Sequence, residues 1–467
     1  MTKQTPIQGQ SLEIVAGKWG PDGTTRTVLD SGWELRVAGL IPGEEVTVRV
    51  THVSGGGQVA WARLAAAPPK SSARRLPPCQ HAENCGACGL LHVADDEQFA
   101  LKIESALPAL PSELAERMLE STSWLGSPKP LGYRHKAIFL PRIGRGGLEL
   151  GAYARRTHEV VPLIRCEVIT PALREARDLL RKLLEGPIVA GDLPLRSLIL
   201  RSNQAGQVLA TLVLSRPYPR FGSREANLIE LAQSVVSGRG PLVGVHVQIH
   251  EAAGDAVFGR SPTARLAGGD YLRETVAGLE FRIRPLAFFQ VNPQVLAGII
   301  ELLRSRLGAA APATELPPLL LDLYCGGGVL GLATLAARPE WRLLGVDNAE
   351  RNIEDARTNA TALGLAQRNF RHGSVTDLIN SDEWRDAQAA IMDPPRSGLR
   401  AEVLTALTDD GPERLFYIAC STKALARDAA ALIAAGYQPD FLCPADMMPQ
   451  TPYIEWIAGF SRSSSER

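Results

Sequence analysis

Two kinds of residue in this chain have the types and spacing for covalent or metal chemistry: clustered cysteines, and carboxylates at the ends of apolar runs. Seven cysteines occur in 467 residues. Three of them form Cys79-x5-Cys85-x2-Cys88, with small residues between the last two. Thiols at that spacing make a ligand loop, and Cys166, in Pro162-Leu163-Ile164-Arg165-Cys166, is the best candidate for a fourth ligand. Four thiolates suit tetrahedral zinc or an iron-sulfur cluster. Spacing alone does not separate these, and His81 keeps zinc open. Cys420 follows the apolar run Leu415–Ala419. Glu455 lies in an apolar, strand-like end of the chain. A carboxylate there is costly unless paired or used, and partial burial would raise its pKa towards that of a useful base or acid.

The elements that must position these groups read as a parallel sheet. Leu319-Leu320-Leu321-Asp322-Leu323 has strand length and runs into Tyr324-Cys325-Gly326-Gly327-Gly328, then a helix-like segment. The glycines let the backbone turn sharply and approach a ligand. A second apolar strand ends in Asp347, the usual place for a group accepting hydrogen bonds from ribose hydroxyls. A helix over 349–363 and a short strand-like piece before Asp377 follow. A third strand ends in Asp393-Pro394-Pro395-Arg396, and a fourth in Cys420. Ligands sit at the carboxyl ends of strands in such sheets, so the reading is an S-adenosylmethionine-dependent methyltransferase domain. A dinucleotide fold fits less well, because the glycine spacing is not GxGxxG. Asn292-Pro293 is expected to start a helix to Leu307.

The rest of the chain is a globular, mixed sequence. Hydrophobic content is 45%, charged content 21% and net charge zero, so a nucleic-acid surface must be a local patch. There is no apolar run of membrane-spanning length and no signal-peptide pattern, which predicts a cytoplasmic location and no membrane partner. Residues from about Leu12 to Leu64 alternate and turn like a small OB-type β-barrel; in Glu45–Thr51, Val46, Val48 and Val50 share one face. A basic, proline-rich linker follows, in which Lys70, Arg74 and Arg75 could meet phosphates, although a solvated linker is the commoner explanation of such a run. Residues 101–119 read as a helix. From Gly132 to Glu274 the pattern is α+β, and Tyr133-Arg134-His135-Lys136 suits RNA contact or a solvated strand edge.

Taken together, these motifs resemble the RNA (uracil-5-)-methyltransferases over nearly the whole length. Phe288-Phe289-Gln290-Val291-Asn292, Leu321-Asp322-Leu323-Tyr324-Cys325-Gly326-Gly327-Gly328, Asp393-Pro394-Pro395-Arg396, Ala419-Cys420 and Pro449-x-Thr451-x-x-x-Glu455 carry the resemblance in order and spacing. The resemblance implies an α/β, Rossmann-like methyltransferase domain over 281–467. It also implies a TRAM-like OB barrel over 1–66 and a central α+β domain over 67–280, with a helix near 97–120 packing on the catalytic domain. It makes Gln290, Tyr324, Asp347 and Asp393 contacts to S-adenosylmethionine. Cys79, Cys85, Cys88 and Cys166 become ligands of a 4Fe-4S cluster rather than zinc. Cys420 becomes the nucleophile that adds to carbon 6 of uracil, and Glu455 the base that removes the proton from carbon 5. Phe288 would receive the unstacked base. A monomer acting on 23S ribosomal RNA is expected; transfer RNA, an adenine or protein-amide substrate, and a non-catalytic RNA-binding factor are the alternatives. The chain departs from the family at Ser421-Thr422, Asp347 and Tyr453, where Asn-Pro or Asp-Pro, Glu and His are common.

Overall fold

The computed structural model describes residues 5–20, 22–155, 157–216, 223–254, 256–308, 317–336, 338, 340–365 and 369–462. Near the N-terminus, strands Ser11–Val15, Thr24–Val28, Glu34–Ala38, Glu45–Val53 and Val59–Leu64 form a five-stranded sheet. Along the sheet their order is first, fourth, fifth, third, second, and only the third and fifth run parallel. Val48 and Val50 are buried with Ile14, Leu35 and Val37, while Val46 packs at the margin. The arginines that follow do not lie free. Arg74 pairs with Glu44, and Arg75 pairs with Asp95 and donates to Gln450. Those guanidiniums are spent on internal contacts, so Arg74 and Arg75 neither lie solvated nor are left for phosphate.

The expected helix over 101–119 is broken. It starts earlier, at Asp95–Ala106, and gives way to a single 3-10 turn and the short helix Ser112–Ala115. Pro108 and Pro111 lack the backbone N–H that an uninterrupted helix needs. Ile103, Leu110 and Leu114 are buried in the same apolar cluster as the last sheet of the chain. Residues 117–125 then run along that sheet's edge strand. Leu119 N–H donates to the Leu442 carbonyl at 2.8 Å and Leu125 N–H to the Pro444 carbonyl at 3.0 Å, satisfying an edge that would otherwise be open.

The central residues make a second, seven-stranded sheet between Lys136 and Gly268, mostly antiparallel. Helices Pro171–Val189 and Ser223–Ser237 pack against it. Tyr133 is 2% exposed and donates to the Pro449 carbonyl at 2.8 Å. It is therefore a buried anchor, neither an RNA-contacting ring nor part of a solvated strand edge.

The last sheet holds the strand-end groups. Its strands are β1 (Leu319–Leu323), β2 (Arg342–Asp347), β3 (Phe370–His372), β4 (Ala387–Met392), β5 (Arg414–Ala419), β6 (Gln438–Ala445) and β7 (Glu455–Ser461). The order is β3-β2-β1-β4-β5-β7-β6, with the first five strands parallel and β7 antiparallel between β5 and β6. All five residues of β1 are buried, which explains its unbroken apolar run around Asp322. Helix Pro293–Leu307 starts where expected, but Asn292 does not cap it; its amide donates instead to Ser127 Oγ at 2.9 Å. Asp377 sits in a helix capping box with Ser374 and has a structural role. No helix among the described residues is long and apolar enough to cross a membrane.

The turn after β1 is held from below. Gly331, in helix Val329–Ala336, donates its N–H to Asp322 Oδ2 at 2.9 Å. A Cβ on Gly331 would lie 2.6 Å from that oxygen and 2.8 Å from Leu343 Cδ1. Alanine is favoured over glycine in a helix by about 1 kcal/mol, whereas overpacking a tight site costs about 1–3 kcal/mol. Gly331→Ala is therefore expected to lower the melting temperature and weaken cofactor binding. An unchanged or higher melting temperature would contradict this packing.

Candidate active site

The parallel strands bring their carboxyl ends to one edge, and the sheet order reverses between β1 and β4. Such a switch point opens a crevice for a ligand. Tyr324 leaves β1 with φ of +65°, a left-handed conformation uncommon outside glycine and asparagine, and Gly326 and Gly328 continue with φ of +54° and +77°. Asp393 leaves β4 beside them. Phe288, Gln290, Tyr324, Gly326, Leu330 and Asp393 line one cleft there. Gln290 donates to Asp393 Oδ2 at 3.4 Å. Burial pushes the Asp393 carboxyl up to about 7, against the Gln290 hydrogen bond.

Asp347 ends β2 and does not line this cleft. Its Oδ2 accepts from Gly326 N–H at 3.0 Å; its Oδ1 accepts from Ala349 N–H at 2.8 Å and Asn352 Nδ2 at 3.0 Å. It fastens the glycine turn and retains acceptor capacity, since a carboxylate offers about four acceptor sites. The Tyr324 hydroxyl is buried and has no hydrogen-bond partner among the described residues. Burial also pushes it up to about 12, so it remains a donor. A partnerless buried hydroxyl, a positive-φ glycine turn and inward carboxyls fit a polar, cationic cofactor such as S-adenosylmethionine. Asp322 was not assigned a role from sequence; it is fully buried, with one oxygen lacking a partner among the described residues. Burial pushes its carboxyl up to about 7, and the charges of Asp393 and Asp347 push the same way. Its position inside the apolar β1 run was the available signal.

Cys420 and Glu455 are brought together by strand pairing. Because β7 is antiparallel, its first residue lies at the edge where β5 ends. Ala419 pairs with Trp456, so Cys420 and Glu455 are the next positions along the two strands. Cys420 is half-buried, and its thiol is pushed up to about 11 by burial and then by the Glu455 and Asp393 charges; Arg396 opposes this. Glu455 is 4% exposed and is pushed up to about 8 by burial and Asp393, again opposed by Arg396.

Arg396 had no assigned role, although it follows the Asp-Pro-Pro turn directly. Its guanidinium lies 4.6 Å from the centre of the Tyr453 ring. Burial works against its charge, but Tyr453 and Cys420 outweigh burial and hold the pKa above its ordinary value. Ser421 caps helix Thr422–Ala434 by accepting from Ala424 N–H at 3.3 Å. Thr422 Oγ1 accepts from the Trp456 indole at 2.9 Å. The Ser421-Thr422 departure thus keeps Cys420 tied to both β7 and a helix start. Cys325 and Cys443 are buried, and Cys443 lies inside β6.

Cys85, Cys88 and Cys166 lie against the central apolar cluster, and Cys79 is half-buried. The Cys88 thiol is pushed up to about 12 by burial and by Cys166, Cys85 and Cys79, so all four thiols lie close enough to feel one another. His81 Nε2 accepts from Ile164 N–H at 3.1 Å and so tethers the two cysteine segments. Among the described residues, no group of three or more His, Cys, Asp or Glu side chains is arranged to hold a metal ion.

The family model for the methyltransferase small domain matches residues 307–416, spanning β1 to β5. A protein of Gloeobacter violaceus named as an uncharacterized RNA methyltransferase is 33% identical, covering 98% of this chain and 98% of that protein. One of Enterococcus faecalis with the same description is 30% identical, covering 99% of this chain and 100% of the relative. A solved structure of the Pyrococcus abyssi tRNA (uracil-54, C5)-methyltransferase with S-adenosyl-L-homocysteine is similar in fold. Its TM-score is 0.73 at 22% identity, and the match covers 96% of this chain and 100% of that one. A methyltransferase sheet with strand-end groups at its switch point, together with relatives matched end to end, makes this chain a member of the RNA methyltransferase family.

Proposed function

We propose that the enzyme methylates carbon 5 of a uridine in RNA through a covalent adduct between Cys420 and carbon 6 of the base. The observation that carries this is the β5–β7 register, which sets a thiol and a buried carboxyl side by side at the ligand edge. Carbon 5 of uracil is a weak nucleophile. When the Cys420 sulfur bonds carbon 6, the electrons of the 5,6 double bond move into an enolate and activate carbon 5. Gln290, Tyr324, Asp347 and Asp393 would hold S-adenosylmethionine, which would supply an electrophilic methyl group and a positive charge beside the carboxyls; carbon 5 bonds that methyl as the methyl–sulfonium bond breaks, leaving S-adenosylhomocysteine. Glu455 then takes the proton from carbon 5. The freed electron pair re-forms the double bond, and the bond from carbon 6 to sulfur breaks. Arg396 stabilises Cys420 as a thiolate on entry and departure. Phe288, 62% exposed at the cleft, offers a face for the unstacked base.

The preferred substrate is 23S ribosomal RNA, on the resemblance to the TRAM-containing branch. The parallel pairing of Glu34–Ala38 with Val59–Leu64 supports an OB-type barrel in the N-terminal sheet. A division at about residues 66 and 280 is supported by separate apolar clusters under the first two sheets. For Cys79, Cys85, Cys88 and Cys166 we propose a 4Fe-4S cluster. What supports it is four neighbouring thiols in an apolar setting, which suit soft metal ligation. Methyl transfer needs no electron from such a site.

Glu455→Gln should halt the reaction after methyl transfer. With RNA and S-adenosylmethionine, it should accumulate a protein–RNA species that survives denaturing electrophoresis, and adding Cys420→Ala should abolish that species. Full methylation by Cys420→Ala alone would overturn the covalent mechanism. The pH dependence has a definite sign. Burial makes Glu455 hold its proton up to about 8, and the base must be unprotonated to act. kcat, which contains proton removal, should therefore still be climbing with pH well above the ordinary carboxylate range. A profile already flat just above the ordinary carboxylate range would contradict the assignment.

A further inference from the structure

Glu455 is reached by a loop, Asp446 to Ile454, that the methyltransferase sheet alone does not hold. Gln450 lies at its centre, fully buried and with φ of +68°, an unfavourable backbone conformation that must be imposed by its surroundings. The surroundings come from far away in sequence. Gln450 N–H donates to Gln98 Oε1 at 2.9 Å, and Gln98 Nε2 returns a bond to Gln450 Oε1, also at 2.9 Å. Leu90 N–H donates to the Gln450 carbonyl at 3.0 Å. Lys102, 2% exposed, pairs with Asp446 at 2.8 Å and donates to the Met448 carbonyl at 3.1 Å. Pro452, three residues before Glu455, lies against Gly89: a Cβ there would come within 3.3 Å of its Cδ.

We propose that this contact is a latch, in which the segment bearing Cys79, Cys85 and Cys88 and the helix after it position the base Glu455. Gln98 and Lys102 are positioning residues that act through the loop, and Leu90 and Gly89 link the cysteine segment to it directly. An intact fold lacking this latch would keep its cofactor cleft and Cys420, which β1, β4 and β5 hold. Proton removal would be the step that fails. The latch rests on the carbon 5 reading above, and its test separates the two.

The test compares Gln98→Leu and Gly89→Ala with wild type on two RNAs of one sequence, containing either uridine or 5-fluorouridine at the target. Fluorine at carbon 5 cannot be lost as a proton, so the fluorinated RNA traps the adduct whatever the base does. Both variants should trap fluorinated RNA as fast as wild type, with KM for S-adenosylmethionine unchanged. On uridine RNA, kcat should fall about tenfold or more, since a general base is worth about 10²–10⁴-fold, and a covalent species should accumulate as with Glu455→Gln. Wild-type turnover on uridine RNA would overturn the latch. So would slow turnover without a trapped species, or loss of trapping on both RNAs in both variants, because these positions would then serve folding alone. Failure of the wild-type enzyme itself to form 5-methyluridine would instead sink the carbon 5 reading.

Discussion

The site depends on the antiparallel insertion of β7 between β5 and β6. In a purely parallel sheet every strand presents its carboxyl end to the ligand edge, and a residue that begins a strand lies at the opposite edge. Reversing one strand allows a first residue, Glu455, to stand next to a residue after a last one, Cys420. Two groups separated by thirty-four residues thereby share one desolvated space without a long loop to order. Trp456 fixes the register further by donating its indole N–H to Thr422, two positions beyond the thiol.

Desolvation then sets the chemistry. Asp322, Asp393 and Glu455 are three carboxyls that burial moves up to about 7, 7 and 8. Where these acids lie near one another, each raises the cost of ionising the next, so burial favours neutral acids and a thiol. A cationic ligand reverses that balance, because an adjacent positive charge favours the ionised forms. Arg396, stacked on Tyr453 and interacting with Cys420, is a fixed positive charge working in the same direction. Tyr453, which departs from the usual histidine, supplies a ring face for that guanidinium.

Much of this was legible because each functional group ends a strongly apolar run. The strands around Asp322, Asp347, Asp393 and Cys420 are buried on both faces and read plainly. Asp347 shows where reading stops: the sequence placed it at a strand end, but only the structure shows it also fastening Gly326. The misread parts were those decided by distant partners. Arg74, Arg75 and Tyr133 look like RNA contacts in one dimension, yet Glu44, Asp95 and Pro449 engage them in three. Nothing local to Gln450 announces a buried amide in a left-handed conformation, because its partner Gln98 is 352 positions away. Pro108 and Pro111, which break the helix, stand among leucines at helical spacing, Leu107, Leu110 and Leu114, that favour an unbroken one.

The most direct test of the central claim is the identity of the methylated nucleoside. The purified enzyme would be incubated with labelled S-adenosylmethionine and, separately, unmodified 23S ribosomal RNA and transfer RNA, and each RNA digested to nucleosides. Label in 5-methyluridine from the ribosomal RNA alone is the expected result. Label in 5-methyluridine from transfer RNA would keep the chemistry of Cys420 and Glu455 and change the partner. Label in any other nucleoside, or in none with the cofactor bound, would contradict the assignment of these two residues.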